Sequence, residues 1–355
     1  MCGIIGYVGP RECKPLLLAG LERLEFRGYD SAGVALLEHG RLEYVRAVGK
    51  LANLKKKCDV QTSPAVTGLG HTRWATHGGV TEANAHPLCG CEAHKLSIVL
   101  NGIVENYREL REQLKAEGHV FTSETDAETV SHLIEKAYTG DLTEAVRIAY
   151  RQLEGHFAFV AIHADHPDTL VGARFQCPLV VGVGEGESFL ASNAAAFITE
   201  TRCVQFPEDD DIVTVEPGRI VFSKADGSPA ERAVIDLDWD IESASKEGHE
   251  TYMLKEIFEQ PEAVEQTIGD RLVHGRRLEL EEGLGMSDDD LLHLRRIVIL
   301  SAGTSYHSAV AGRYAIEEWG RVPVEHDVAS EWIYRNPVLD HDTLVIGISQ
   351  SGETR

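Results

Sequence analysis

The spacing of apolar residues changes along the 355-residue chain, and this change limits the folds that the chain can adopt. Up to about residue 235, short β-type runs such as Gly3–Val8 and amphipathic helices occur in clusters. Clustering of this kind is typical of an α+β domain with mostly antiparallel sheets. From about residue 295, predicted strands and helices alternate, which favours a parallel, doubly wound α/β sheet.

The chain is long enough for two domains, and its patterns predict where they meet. We predict a first domain over residues 2–235, a helical connector over 236–294 and an α/β domain over 295–355. Three helical segments are predicted in the connector, at 251–260, 262–272 and 288–294. The α/β part holds three predicted strands, whereas such sheets usually have about five, so we expect this domain to be incomplete here.

Charge and cysteine content exclude several classes of protein. The 57 acidic residues outnumber the 34 basic ones, giving a net charge of −23, which disfavours nucleic-acid and anionic-membrane partners. No run approaches the roughly 18 apolar residues of a membrane span, and the first residues show no signal-peptide pattern. Seven cysteines without a repeating spacing argue against a disulfide framework. We therefore expect a cytoplasmic protein with reduced thiols.

Cys2 carries the first chemical signal. Removal of Met1 would leave Cys2 with a free α-amine beside its own thiol, so that one residue supplies both nucleophile and base. The alternative interpretation is a small apolar residue at the start of a strand.

Three further motifs carry polar groups suited to binding a small zwitterion. The stretch 71–78 contains Arg73, whose guanidinium can bind a carboxylate through two hydrogen bonds. Asn101 and Gly102 follow a predicted strand at 96–100 and could form an oxyanion hole or a type I′ turn. Asp126 precedes a predicted helix, where it could cap the helix, bind an ammonium group, or do both.

Two Ser/Thr-rich turns follow predicted strands of the α/β part. The first is Ser301-Ala302-Gly303-Thr304-Ser305, and the second is Ser349-Gln350-Ser351-Gly352-Glu353-Thr354. The carboxyl ends of parallel strands and the helix N-termini after them suit a phosphate monoester. The alternative is a pair of polar loops with capping hydroxyls.

Taken together, the motifs resemble those of the class II glutamine amidotransferases. Their residues and their order along the chain are most similar to the glutamine–fructose-6-phosphate aminotransferase branch of that class. The resemblance covers essentially the whole chain and rests on Cys2-Gly3-Ile4, Arg27-Gly28-Tyr29-Asp30-Ser31-Ala32-Gly33, the stretch 71–78, Asn84-Ala85-His86-Pro87, Asn101-Gly102 and the stretch 123–126. It implies an N-terminal nucleophile-type glutaminase domain followed by the start of a sugar isomerase (SIS) domain.

The resemblance also implies roles for individual residues. Cys2 would attack the glutamine amide, while Asn101 and Gly102 would hold the oxyanion. Glutamine would be bound by Arg27, Arg73, Trp74, Thr76, His77, His86 and Asp126, with Arg73 on the α-carboxylate and Asp126 on the α-ammonium group. Fructose 6-phosphate would be bound by Thr304, Ser305, Ser349, Gln350, Ser351 and Thr354. Ala302 departs from the family, which usually has cysteine there.

The resemblance implies a homodimer for full-length members and requires no cofactor. Because the family's C-terminal part is absent from the sequence, we expect these 355 residues to carry at most the glutaminase half-reaction. Two alternatives stay open: a non-catalytic sugar-phosphate-binding or regulatory protein, and a glutaminase that serves another acceptor.

One short stretch of the sequence holds four possible metal ligands. His86, Cys89, Cys91 and His94 crowd together, but their spacing matches no common zinc pattern. We therefore predict no metal site from this group.

Overall fold

Strand β1 (Gly3–Val8) lies in the middle of an antiparallel sheet and is buried along its whole length. Ile5 and Tyr7 pack into one apolar cluster, while Ile4 and Val8 pack into another on the opposite face. This division follows from the strand geometry, in which successive side chains point to opposite faces. An apolar run without polar alternation therefore forms a strand that is covered on both sides.

The computed structural model describes residues 2–60, 62–238, 249, 251–269, 272–273, 277–278 and 285–349. The chain divides into two compact units, one ending at Tyr252 and the other beginning at Met253. The domain boundaries expected near residues 235 and 295 stay predictions.

The first unit contains two antiparallel sheets. The first sheet consists of β1, β2 (Ser31–Glu38), β3 (Arg41–Val48), β4 (Thr67–Arg73), β9 (Val180–Val183), β10 (Ser188–Ala191), β11 (Cys203–Gln205) and β15 (Ile235–Asp236), in the spatial order β15-β11-β9-β10-β1-β4-β2-β3. The second consists of β5 (Leu88–Cys89), β6 (Leu96–Val104), β7 (Gly155–His163), β8 (Leu170–Phe175), β12 (Asp211–Glu216), β13 (Arg219–Lys224) and β14 (Pro229–Ala230), in the order β14-β13-β12-β8-β7-β6-β5.

The sheets and helices of this unit form four layers. One face of the first sheet packs against α1 (Cys13–Arg23) and α2 (Leu51–Cys58). The second sheet packs against α3 (Tyr107–Ala116), α4 (Ala127–Ala137) and α5 (Leu142–Tyr150). Residues such as Leu69 and Val160 fill the space between the sheets. The predicted α+β class with antiparallel sheets is confirmed.

The turn alternative for Asn101 and Gly102 is wrong. Asn101 and Gly102 lie inside β6, which continues to Val104, so they form no hairpin turn. The segment from His71 to Arg73 forms the buried end of β4. His71 is tolerated in the core because it finds partners in β6, and Arg73 because it finds partners in the loop that follows the strand.

The second unit contains the predicted parallel sheet. Strands β18 (Arg296–Ser301), β19 (Val324–Val328) and β20 (Thr343–Ile348) pair in the order β19-β18-β20. The other elements are β16 (Leu272–Val273), β17 (Arg277–Leu278), α7 (Asp288–Leu292), α8 (Gly303–Gly320) and α9 (Ala329–Tyr334).

The helix α6 (Tyr252–Ile268) replaces two segments that were predicted as separate helices. Pro261 lies inside this helix, which continues through it with the loss of one main-chain hydrogen bond. Among the helices that the structure describes, none combines the length and apolar character needed to cross a membrane.

Leu69 offers a test of the packing between the sheets of the first unit. Its side chain is fully buried in β4, so Leu69→Ala should lower the free energy of unfolding by about 2–5 kcal/mol. Urea unfolding followed by circular dichroism measures the change. The control Val60→Ala removes an exposed side chain and should change stability by less than about 0.5 kcal/mol. Equal effects of the two substitutions would contradict this packing.

Candidate active site

The register between β1 and β4 determines the position of Cys2. Gly3 pairs with Thr72, which brings Cys2 beside the end of β4, where the chain leaves the sheet. The main-chain N–H of Trp74 donates to Cys2 Sγ at 3.2 Å, and the thiol lies 3.4 Å from the Trp74 carbonyl oxygen. The strand pairing therefore holds the thiol against the segment that begins at Trp74.

Two side chains also bind the main chain of Cys2. Asn101 Nδ2 donates to the Cys2 carbonyl oxygen at 2.9 Å, and Arg27 Nε donates to the same oxygen at 3.2 Å. Asn101 comes from the second sheet, whereas Arg27 follows α1 in a short 3₁₀ turn, Glu25–Arg27. Three separate segments therefore converge on one residue at the start of β1.

The electrostatic surroundings of the Cys2 thiol act in both directions. Burial raises its pKa, although the residue keeps some exposed surface, and the Trp74 N–H, Arg73 and Arg27 partly offset this effect. Because the net shift is upward, the thiol is protonated at neutral pH. A nucleophilic thiolate at this position therefore needs a base close by.

His71 orients the amide of Asn101, a contact that the sequence did not predict. Its Nε2 lies 3.1 Å from Asn101 Oδ1 and 3.0 Å from the Leu100 carbonyl oxygen. Burial lowers the pKa of His71 to about 3, so the imidazole is neutral and its Nε2–H donates to both oxygens. With Oδ1 accepting from His71, the NH₂ group of Asn101 faces Cys2.

Gly102 occupies a position that only glycine accommodates. Its φ is +93°, and a Cβ atom there would lie 2.0 Å from the His156 carbonyl oxygen. The backbone next to Asn101 is therefore fixed by steric limits as well as by the strand pairing of β6.

Arg73 holds the 74–79 loop, which follows β4. Its guanidinium is buried and donates to the carbonyl oxygens of Gly78 and Gly79, each at 3.1 Å, and to that of His77. Burial lowers the pKa of Arg73, which remains a cation because its ordinary value is far above neutrality. Arg73 thus shapes the loop in addition to carrying a charge beside Cys2.

Asp30 is a second residue whose contact with the loop the sequence did not reveal. Its Oδ2 accepts the Ala75 N–H at 2.8 Å, and its own N–H donates to the Arg73 carbonyl oxygen at 3.0 Å. The Arg-Gly-Tyr-Asp motif indicates that this segment matters, but it does not predict which residue Asp30 contacts. A short acidic side chain before a strand is a weak signal unless its long-range partner is known.

Asp126 is a buried carboxylate near the same loop. Oδ2 accepts the Val104 N–H at 2.8 Å, and Oδ1 lies 3.6 Å from His77 Nδ1. Asp126 occupies the N-cap position of α4, but its side chain makes no capping hydrogen bond to the helix. Burial raises the pKa of Asp126, partly offset by the Val104 N–H and by His77. A cation bound here would stabilise the charged form.

The remaining loop residues are more accessible. The Trp74 side chain is 46% exposed and contacts Tyr29 edge-on, with ring centroids 5.4 Å apart. Thr76 is exposed, whereas His77 is half-buried against the ring of Tyr107. These side chains are free of the core, so they can cover a ligand beside Cys2.

His86 packs against His71, the residue that orients Asn101. Its ring stacks on His71, with centroids 4.4 Å apart, and neither of its nitrogens has a hydrogen-bond partner among the described residues. Burial and the neighbouring His71 lower the pKa of His86 well below its usual value. The structure therefore connects His86 to Cys2 through His71 and Asn101.

The first residues of the two Ser/Thr-rich segments lie at one edge of the parallel sheet. Ser301 pairs with Ile348, so Ala302 and Ser349 leave the sheet side by side. Thr304 is exposed and Ser305 half-buried in the first turn of α8, and Ser349 is exposed. Three other predicted contacts, Gln350, Ser351 and Thr354, lie outside the described residues.

Comparisons with known proteins agree with this architecture. Residues 71–199 match a glutamine amidotransferase domain, and residues 290–355 match an SIS domain. A solved glutamine phosphoribosylpyrophosphate amidotransferase from B. subtilis has a similar fold, with a TM-score of 0.59 and 17% identity over 92% of this chain and 65% of that chain. The chain thus shares its fold with that enzyme, carries glutamine amidotransferase sequence over residues 71–199 and carries SIS sequence over residues 290–355.

Curated relatives identify the family more closely. The glutamine–fructose-6-phosphate aminotransferase (isomerizing) of Streptomyces coelicolor is 48% identical over 357 residues, and that of Thermus thermophilus is 46% identical over 354 residues. Each comparison covers 100% of this chain and 58% of the relative. The match extends over the whole chain, which confirms the resemblance to the glutamine–fructose-6-phosphate aminotransferases, and the chain spans 58% of the length of these relatives.

The buried, neutral state of His86 predicts a pH dependence of stability. Its folded-state pKa is depressed, so below about pH 6.5 the unfolded chain binds a proton that the folded chain does not. This contribution to stability is complete above pH 6.5 and is lost as the pH falls. His86→Phe keeps a ring against His71 and should flatten the slope between pH 6 and 5 by up to about 1.4 kcal/mol per pH unit.

Urea unfolding at several pH values measures this slope. The control is His39→Phe, which changes an exposed histidine in the hairpin between β2 and β3 and should leave the slope unchanged. An unchanged slope in His86→Phe would show that His86 takes up a proton in the folded protein.

Proposed function

We propose that this chain hydrolyses glutamine to glutamate and ammonia, with Cys2 as the nucleophile. The observation that carries the proposal is the convergence on Cys2: Trp74 binds its sulfur, while Asn101 bonds to its carbonyl oxygen. A cysteine held between a backbone N–H and an oriented side-chain amide has the parts needed for acyl transfer.

In the proposed first step, the Cys2 sulfur forms a bond to the carboxamide carbon of glutamine. The α-amine that Met1 removal would expose accepts the thiol proton. Such a base is needed because burial raises the pKa of the Cys2 thiol. The negative charge that develops on the amide oxygen is stabilised by Asn101 Nδ2 and the Gly102 N–H.

In the second step, the tetrahedral intermediate loses ammonia, which carries away the proton from the base, and a thioester remains on Cys2. Water then attacks the thioester carbon and releases glutamate and the thiol. His71 contributes as a positioning residue, because it fixes the direction of the Asn101 amide.

Two charged residues are proposed to bind the amino-acid end of glutamine. Arg73 would pair with the α-carboxylate, using N–H groups beyond those that hold the 74–79 loop. Asp126 would accept the α-ammonium group, whose charge would offset the burial of the carboxylate. Trp74, Thr76 and His77 would cover the bound substrate, and Arg27 would hold Cys2 in place.

For the whole protein, we propose that the ammonia is transferred to fructose 6-phosphate to give glucosamine 6-phosphate. Support comes from the SIS match and from relatives whose names state this amination. Thr304, Ser305 and Ser349 would bind the sugar phosphate together with Gln350, Ser351 and Thr354. A homodimer of the full-length protein and a cytoplasmic location stay part of this proposal.

Cys2→Ala tests the nucleophile. Glutamate formation from glutamine should fall by at least about 10³-fold, because the group that forms the covalent bond is removed. Cys203→Ala, which changes a half-buried cysteine in β11, is the matched control and should retain activity. Mass spectrometry of the active preparation should show that Met1 has been removed. Full activity with Met1 retained would refute the role of the α-amine.

Arg73→Lys tests the carboxylate-binding role. The ammonium of lysine cannot reproduce the two-pronged contact, nor can it hold several loop carbonyls at once. We expect KM for glutamine to rise at least about tenfold, the scale of a hydrogen bond to a charged group. Arg41→Lys, at an exposed position in β3, is the control. A KM within about twofold of the unmodified chain would exclude Arg73 as the carboxylate-binding group.

A further inference from the structure

Four side chains from three segments converge at the end of the second sheet, away from Cys2 in the sequence. Cys91 follows β5, His119 follows α3, and His132 and Glu135 lie one turn apart on α4. One atom of each, namely Cys91 Sγ, His119 Nδ1, His132 Nδ1 and Glu135 Oε2, lies within 4.8 Å of the other three. We refer to these four residues as the Cys91 cluster.

Five of the six distances between the four atoms are close to those of a tetrahedron, and the sixth, from Cys91 Sγ to Glu135 Oε2, is within 4.8 Å. The two Nδ1 atoms are 3.2 Å apart, and each lies 3.4 Å from Glu135 Oε2. Cys91 Sγ lies 3.5 Å from His119 Nδ1 and 3.6 Å from His132 Nδ1. Tetrahedral zinc, with bonds of about 2.3 Å to sulfur and about 2.0–2.1 Å to nitrogen or oxygen, separates its ligand atoms by about 3.3–3.6 Å.

Hydrogen bonds alone do not account for this convergence. Each imidazole Nδ1 carries at most one proton, yet His132 Nδ1 faces a second imidazole nitrogen, a sulfur and a carboxylate oxygen at the same time. One proton can serve one of these contacts, whereas a cation at their centre is attracted to all four ligand atoms. A thiolate and a carboxylate would together balance the two charges of a divalent ion.

The surroundings of the Cys91 cluster also suit a metal ion. The Val120 N–H points at Cys91 Sγ at 3.5 Å, the kind of contact that stabilises a thiolate. His132 Nε2 is buried, has no hydrogen-bond partner among the described residues, and lies 3.8 Å from Glu128 Oε1. With Nδ1 bound to a metal, Nε2 would carry the proton and face this carboxylate.

We infer that Cys91, His119, His132 and Glu135 bind one Zn²⁺ ion as a closed, structural site. Thiolate, imidazole and carboxylate are its usual ligands, and four protein ligands leave no open coordination position. The ion would fasten the loop after β5 to α4.

The other three residues of the Cys91 sequence group, His86, Cys89 and His94, are not part of the Cys91 cluster. His86 stacks on His71, and His94 Nδ1 donates to the Leu42 carbonyl oxygen at 2.8 Å. Cys89 lies in β5 and serves as a control, since it is a half-buried cysteine two residues from the exposed Cys91. Sequence spacing could not reveal the cluster, because its members are separated by up to 44 residues along the chain.

The test uses the 355-residue chain, stripped of metal and titrated with Zn²⁺ alone against a competing indicator. We expect close to one zinc bound per chain, with Cys91→Ser binding at least roughly tenfold more weakly and Cys89→Ser unchanged. Co²⁺ in place of Zn²⁺ should give the intense visible absorption of tetrahedral cobalt and a thiolate-to-cobalt band. That band should be lost in Cys91→Ser and kept in Cys89→Ser.

Circular dichroism establishes that each protein is folded. Hydrogen bonds also hold the loop after β5 in the absence of an ion. Glu135 accepts the N–H groups of Cys91 and Glu92, and Ser131 Oγ donates to the Cys89 carbonyl oxygen. Should Cys91→Ser fail to fold, His119→Gln replaces it, with the same expected loss of affinity. The inference is overturned if the folded, reduced chain takes up no zinc, if Cys91→Ser keeps the affinity and the cobalt–thiolate band, or if Cys89→Ser loses them equally.

Discussion

The burial of β1 on both faces is the constraint on which the candidate active site depends. Ile4 and Val8 face the second sheet, whereas Ile5 and Tyr7 face the helical layer that contains α1. A shift of one residue in the pairing would exchange these two sets, so the register is strongly specified. Gly3 adds a steric limit, because a Cβ atom there would lie 2.6 Å from Thr72 Oγ1. The hydrophobic core thus determines where the residue before the strand lies.

Buried charges then determine the shape of the loop around Cys2. Arg73 and Asp126 are almost fully buried, and a buried charge is tolerated only when polar groups surround it. The carbonyl oxygens of the 74–79 loop serve Arg73, and the Val104 N–H serves Asp126. Asp30 binds the same loop through the Ala75 N–H. The loop therefore takes its conformation both from Arg73 at its own start and from Asp30, 45 residues away along the chain.

This dependence explains which features the sequence could predict. The α+β class follows from local periodicity, and Cys2 stands out because of its position in the chain and its neighbours. Asn101 and Gly102 were ambiguous, since the same dipeptide favours a tight turn and only the pairing of β6 with β7 shows that it lies in a strand. The role of His71 could not be predicted, because its partner, Asn101, lies 30 residues away.

Helix α4 connects the candidate glutamine site to the Cys91 cluster. Asp126 immediately precedes the helix, and Glu128, in its first turn, accepts the N–H groups of Thr122 and Ser123. His132 follows at i+4 from Glu128, which places both side chains on the same face, so the row of polar groups runs from the glutamine site into the cluster. A helix rises about 1.5 Å per residue, so about 9 Å of a rigid element separates Asp126 from His132. An ion held at the far end would therefore act on the near end by fixing the helix and not through contact with the substrate.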